Sequence, residues 1–126
     1  MRKIFFFLLM AFSCSAWAEW VLVTKSEARG VFFYIDPASI RREGNLRKFW
    51  QLADFKERNK SLDKSYRSKI ELDCKEEIFR VSSITIFSES MLKGNITNSF
   101  NYPNSEWENI APGTLDADTM EYVCAK

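Results

Sequence analysis

The sequence predicts an α+β fold: an antiparallel β-sheet of five or six strands, with a C-terminal helix packed on it and one disulfide. Three observations carry this expectation. Short runs rich in β-branched and aromatic residues recur between Trp20 and Phe100, each closed by a turn signal. One amphipathic helical pattern follows Pro112-Gly113. Two cysteines, Cys74 and Cys124, remain once the N-terminal leader is set aside.

The leader comes first. Met-Arg-Lys is followed by an apolar run, Ile4–Phe12, and by small residues ending Ala16-Trp17-Ala18. This reads as a secretory signal peptide over residues 1–18, with a single domain over 19–126. The apolar run falls short of the roughly 20 residues that cross a bilayer. No later stretch approaches that length, so no transmembrane segment is expected in the mature chain. Cys14 offers an alternative end to the leader, a lipidated cysteine, which the bulky Phe12 before it fits poorly.

The strands follow in order. Trp20–Lys25 is the first, and Gly30 separates it from Val31–Ile35. Asp36-Pro37 ends the second, because proline cannot continue a ladder. Glu43-Gly44-Asn45 is a turn that opens a long strand, Leu46–Lys56. That strand carries Phe49, Ala53 and Phe55 on one face and Trp50 and Leu52 on the other, the pattern of a central strand covered on both sides. Glu57–Tyr66 is polar and aperiodic and reads as an exposed loop. In Arg67–Lys75, Ser68, Ile70, Leu72 and Cys74 alternate with charged residues, so one face meets the core and the other meets water. A strand from Glu77 through Phe87, a turn over Ser88–Asn95 containing Gly94, and a last strand, Ile96–Phe100, complete the sheet. Trp107 and Ile110 anchor the segment before the helix. Thr114 is a candidate N-cap for Leu115–Cys124, with Asp116 and Asp118 in the first turn, where the helix dipole favours carboxylates. Met120, Val123 and Cys124 form its buried side.

In an exported chain the two remaining cysteines are expected to form one structural bridge, Cys74–Cys124, since neither lies in a Cys-x-x-Cys context. Histidine is absent, which removes the commonest metal ligand and general base. No zinc-ribbon, P-loop or dinucleotide motif occurs. Asp73, Glu76 and Glu77 are carboxylates at the end of a strand, ordinary territory for charge, and Ser61-Leu62-Asp63-Lys64 sets a serine and a lysine in a polar loop. Neither group makes a case for catalysis, so no enzyme activity and no cofactor or metal is expected.

Charge is nearly balanced, with 18 Lys and Arg against 17 Asp and Glu, which excludes a global basic excess for nucleic acid. Its distribution is uneven. Arg41 to Lys69 holds ten basic and four acidic residues, and Ile70 to Lys126 holds four basic and ten acidic. Arg41, Arg42, Arg47 and Lys48 flank one turn and are the candidate partner-binding residues. Such a turn could present cations to an acidic glycan, a lipid head group or an acidic protein segment. The aromatics Trp20, Trp50, Trp107, Phe49, Phe55 and Phe87 are a weaker candidate platform for a sugar or peptide, because residues at alternating strand positions more often build core.

Several residues also resemble a known family in order along the chain. They are Trp20, Tyr34-Ile35-Asp36-Pro37-Ala38-Ser39-Ile40-Arg41, Gly44-Asn45 and Trp50 through Asp54-Phe55, then Asp73-Cys74, Arg80, Ser88, Met91 and Gly94, then Trp107, Ile110, Pro112-Gly113-Thr114 and Cys124. The set is similar to the surface-adhesin protein E family and spans about Glu19 to Cys124. The resemblance implies small exported Gram-negative proteins, an antiparallel sheet with a C-terminal helix, and homodimers in some members. It implies action by binding, to host extracellular proteins or to partners in the envelope, without catalysis. Because the lipidation signal at Cys14 is poor, the resemblance leaves a second reading: a periplasmic structural or envelope-stress protein with no host ligand.

Overall fold

Every strand pairing among the described residues is antiparallel. The computed structural model describes residues 19–57 and 64–126. The expected leader over residues 1–18, with Cys14, lies outside the described residues, as do residues 58–63 of the expected loop over Glu57–Tyr66. Strands β1 (Val21–Ser26), β2 (Val31–Ile35), β3 (Arg41–Glu43), β4 (Leu46–Phe55), β5 (Ser65–Asp73), β6 (Ile78–Phe87), β7 (Ile96–Asn101) and β8 (Glu108–Asn109) precede the helix α1 (Leu115–Cys124). Six strands run in the order β1-β2-β4-β5-β6-β7, while β3 extends the edge beside β4 and β8 extends the edge beside β6. This is the antiparallel sheet with a C-terminal helix that the sequence predicts. None of the described helices is long and apolar enough to cross a membrane.

Helix α1 packs on one face of the sheet. Val123 meets a core of Ile35, Phe49, Ile70, Leu72 and Ile110, and Met120 and Cys124 pack against its margin. Thr114 caps the helix as expected, its side chain accepting from the Ala117 N–H at 3.2 Å. The Cys74–Cys124 bridge joins the segment after β5 to the last turn of α1, with 5.9 Å between the two Cα atoms. Asp73 is a turn former, its Oδ1 accepting from the N–H groups of Lys75 and Glu76.

The other face is partly closed by the segment between β6 and β7. Asp54 Oδ1 accepts from Met91 N–H at 2.9 Å, and Ser65 Oγ accepts from Leu92 N–H at 2.9 Å while donating to Glu89 O. These bonds hold Met91 and Leu92 in left-handed backbone conformations, at φ 55° and 62°. Gly94 is required in the same turn, because a Cβ there would run into Ser88 Oγ. Leu52, on this face, is fully buried as a result. The expected loop over Glu57–Tyr66 therefore ends earlier than its polarity suggests: β5 begins at Ser65, whose hydroxyl belongs to the packed interior.

Candidate partner-binding site

Strand register decides what becomes of the four candidate residues. In the β3–β4 hairpin, turned at Gly44 with φ 62°, Arg41 lies opposite Lys48 and Arg42 opposite Arg47. Neighbouring pairs point to opposite faces. Arg41 and Lys48 share the face away from α1, and Arg42 and Arg47 share the helix face. The turn does not present four cations together. Arg42 is exposed, but Arg47 is buried, 4% exposed. Its Nε donates to Val123 O at 3.2 Å, and its Nη1 donates to Gly44 O and Leu46 O at 2.9 and 3.0 Å. The helix end and the hairpin use up this guanidinium, which corrects the expectation that Arg47 faces a partner.

Arg41 and Lys48 gain neighbours that the one-dimensional reading did not group with them. Along β4 and β5, Lys48 lies opposite Glu71, Trp50 opposite Lys69 and Leu52 opposite Arg67, all on the face away from α1. The Arg67 guanidinium carbon is 4.9 Å from the Trp50 ring centroid, and Lys69 Nζ is 5.8 Å from it. Trp50 and Lys69 form a common wall between two surface concavities. One, of about 250 Å³, is completed by Ser39, Arg41, Lys48 and Phe49. The other, of about 380 Å³, is completed by Ser82, Ser83, Asn101 and Pro103.

Local structure explains these positions. Asp36 caps the short turn Pro37–Ser39, and Ser39 Oγ then accepts from Trp50 N–H at 3.0 Å where β2 and β3 both leave the edge of β4. Opposite Lys69 and Ile70 the β6 register slips, so that Ser82 is an extra residue whose hydroxyl bonds Lys69 O at 3.2 Å. Bulges of this kind re-aim side chains beside functional surfaces. Acidic residues on this face are largely engaged. Glu71 pairs with Arg80 at 2.7 Å and with Lys48 at 3.7 Å, and Asp54 and Asp73 bond backbone N–H groups. Arg67 and Lys69 form no salt bridge among the described residues.

The aromatic candidates divide the same way. Phe49 is core, whereas Trp50 lines the concavities and Trp107 lies exposed at the edge with Arg80 4.3 Å from its ring. The signal for this shared face was present in the alternation of Arg67, Lys69 and Glu71 and in the placement of Trp50 opposite Phe49. It becomes a cluster only when the strands are set in register.

A separate charged region lies at the N-terminal end of α1. Burial pushes the Asp116 carboxyl above its usual range, Glu108 adds to the rise, and Arg29 offsets part of it. Burial likewise raises the Tyr66 hydroxyl, with Asp116 contributing. A carboxyl raised above its unfolded value costs the fold stability once ionised, and the cost disappears as pH falls through the folded value. Asp116→Asn is therefore expected to gain on the wild type at neutral pH and to lose that advantage on acidification. Urea unfolding of both proteins from pH 7 to pH 3 measures the difference, and a constant difference would contradict the shift.

The chain matches the family described as surface-adhesin protein E over residues 20–125. A search of curated proteins finds no match. Three structures of Haemophilus influenzae protein E are similar in fold. Crystal form II superimposes with a TM-score of 0.66 at 15% identity, covering 92% of this chain and 94% of that one. Another structure of the same protein gives 0.63 at 15% identity, covering 92% and 91%. Protein E from non-typeable Haemophilus influenzae gives 0.59 at 15% identity, covering 92% and 82%. With its sheet, C-terminal helix and bridge in place and the match extending over nearly all of residues 19–126, this chain belongs to the surface-adhesin protein E family.

Proposed function

We propose that this protein is exported and non-enzymatic, and that it acts by binding a protein partner, either a host extracellular protein or a component of the envelope. Family membership over residues 20–125 is the observation that carries this reading. The cationic face around Arg41, Lys48 and Lys69 supports it by offering an acidic partner a place to dock. Long-range attraction of this kind raises the association rate and weakens with salt. In the double variant Arg41→Glu/Lys48→Glu, binding of cells to an immobilised extracellular-matrix extract is expected to fall roughly five- to tenfold at physiological salt, with a flatter salt dependence. Binding that is unchanged in both respects would remove this face from the contact.

A second reading is a periplasmic structural or envelope-stress protein with no host ligand, and it rests on the leader. Ala16-Trp17-Ala18 suits cleavage before Glu19, whereas Phe12 suits lipidation of Cys14 poorly. Intact mass, fractionation and protease treatment of whole cells separate the two readings. A chain starting at Glu19 and shielded from protease supports the periplasmic one. A protease-accessible chain supports adhesion.

A further inference from the structure

We propose that the concavities on either side of Trp50 bind an acidic linear polysaccharide, one whose sugars carry sulfate or carboxylate groups. This rests on the binding-protein reading above and narrows the acidic group met at this face to a polysaccharide carried by the partner or its matrix, rather than to polypeptide. The argument starts from the lining. Trp50 supplies an aromatic surface between the two concavities, against which the C–H face of a sugar ring can pack. Ser39 on one side, and Ser82, Ser83 and Asn101 on the other, supply hydroxyl and amide groups suited to sugar hydroxyls. Arg41, Lys48 and Lys69 supply cations at the same surface. Arg67 adds a further charge, its Nε enclosed without a hydrogen-bond partner among the described residues and its guanidinium beside the indole.

Two adjoining concavities with a shared wall suit a chain that crosses the indole better than a compact anion held in one of them. The same surface suits an acidic peptide poorly. Besides Trp50, Pro103 and the buried Phe49, its lining side chains are polar or charged. Strand addition is blocked as well, because β5 is paired on both sides at this level, with Trp50 opposite Lys69 and Lys69 opposite Ser83, and Ser83 is paired in turn with Asn101.

Calorimetry on the disulfide-bonded protein tests the proposal, with a heparin-derived hexasaccharide, neutral maltohexaose, polyglutamate of matched charge and inorganic sulfate as probes. The sulfated hexasaccharide is expected to bind and maltohexaose not to bind. Lys69→Glu and Trp50→Ala are expected to weaken binding at least tenfold, and Arg42→Glu, an exposed cation on the opposite face, less than threefold. Circular dichroism checks each variant's fold, and Lys69→Glu, at an exposed position, keeps the test decisive if Trp50→Ala unfolds. Four outcomes would overturn the proposal: no binding of the hexasaccharide; an equal loss in Arg42→Glu, which would mean diffuse attraction; polyglutamate binding as tightly with the same losses, which would mean an acidic peptide; or inorganic sulfate competing at equal concentration, which would mean a small-anion site. Adhesion of cells to the matrix extract is measured in the same variants. Adhesion that survives in variants without hexasaccharide binding sinks only the polysaccharide assignment, whereas a wild-type protein that gives cells no adhesion at all sinks the broader reading.

Discussion

Opening the Cys74–Cys124 bridge is expected to lower the unfolding free energy by about 4 kcal/mol, because the bridge closes a loop spanning 50 residues. For a domain of this size that corresponds to a fall in Tm of roughly 15–25 °C. The location explains why so much rests on one bond. Helix α1 has ten residues, too few to persist alone in water, and it holds its place through a short apolar face led by Val123. Its last turn is the part the bridge secures. Thermal unfolding of the wild type with and without reductant, and of Cys74→Ser/Cys124→Ser, measures the effect. Hydrogen exchange in the double variant should show amides of α1 exposed before those of β4 and β5. A shift below 5 °C would mean that packing alone holds the helix, and would contradict the argument.

Local chemistry made much of this fold legible. Val31–Ile35 and Leu115–Cys124 carry their own boundaries, in Gly30 and Asp36-Pro37 for the strand and in Thr114 for the helix. The inward set Ser68, Ile70, Leu72 and Cys74 is visible in a strict alternation, and it placed one end of the disulfide. What sequence reading missed depends on contacts between strands. Arg41–Glu43 has no apolar residue to mark it as a strand; it forms because Gly44 turns it onto β4. Glu108–Asn109 is a strand only because β6 is there to pair with it. Ser65 looks like loop, yet it is interior because Leu92 and Glu89 reach it. The candidate site shows the same limit. Arg41, Arg42, Arg47 and Lys48 are close in sequence, but alternation divides them between two faces. Lys69 is far from Arg41 along the chain, and β4 brings it to the same concavity.

Arg47 carries the second large expected effect. Arg47→Ala is expected to destabilise by about 2–4 kcal/mol, while Arg42→Ala, its exposed neighbour across the hairpin, should stay within about 0.5 kcal/mol of wild type. The difference follows from their surroundings. The Arg47 side chain runs along the helix face of β4, opposite the core residue Leu72, so truncation leaves a cavity as well as lost charge-assisted bonds. Its acceptors link distant parts of the fold: Val123 O belongs to the C-terminal turn of α1, and Gly44 O to the hairpin. A cation at that helix end also faces the negative pole of the helix dipole. Arg47→Lys should recover only part of the loss, since an ammonium cannot reproduce the fork that reaches both carbonyls. Urea unfolding of the three variants decides the matter. If Arg47→Ala proved as mild as Arg42→Ala, the buried bonds would contribute nothing net, and Arg47 would return to the list of residues free to meet a partner.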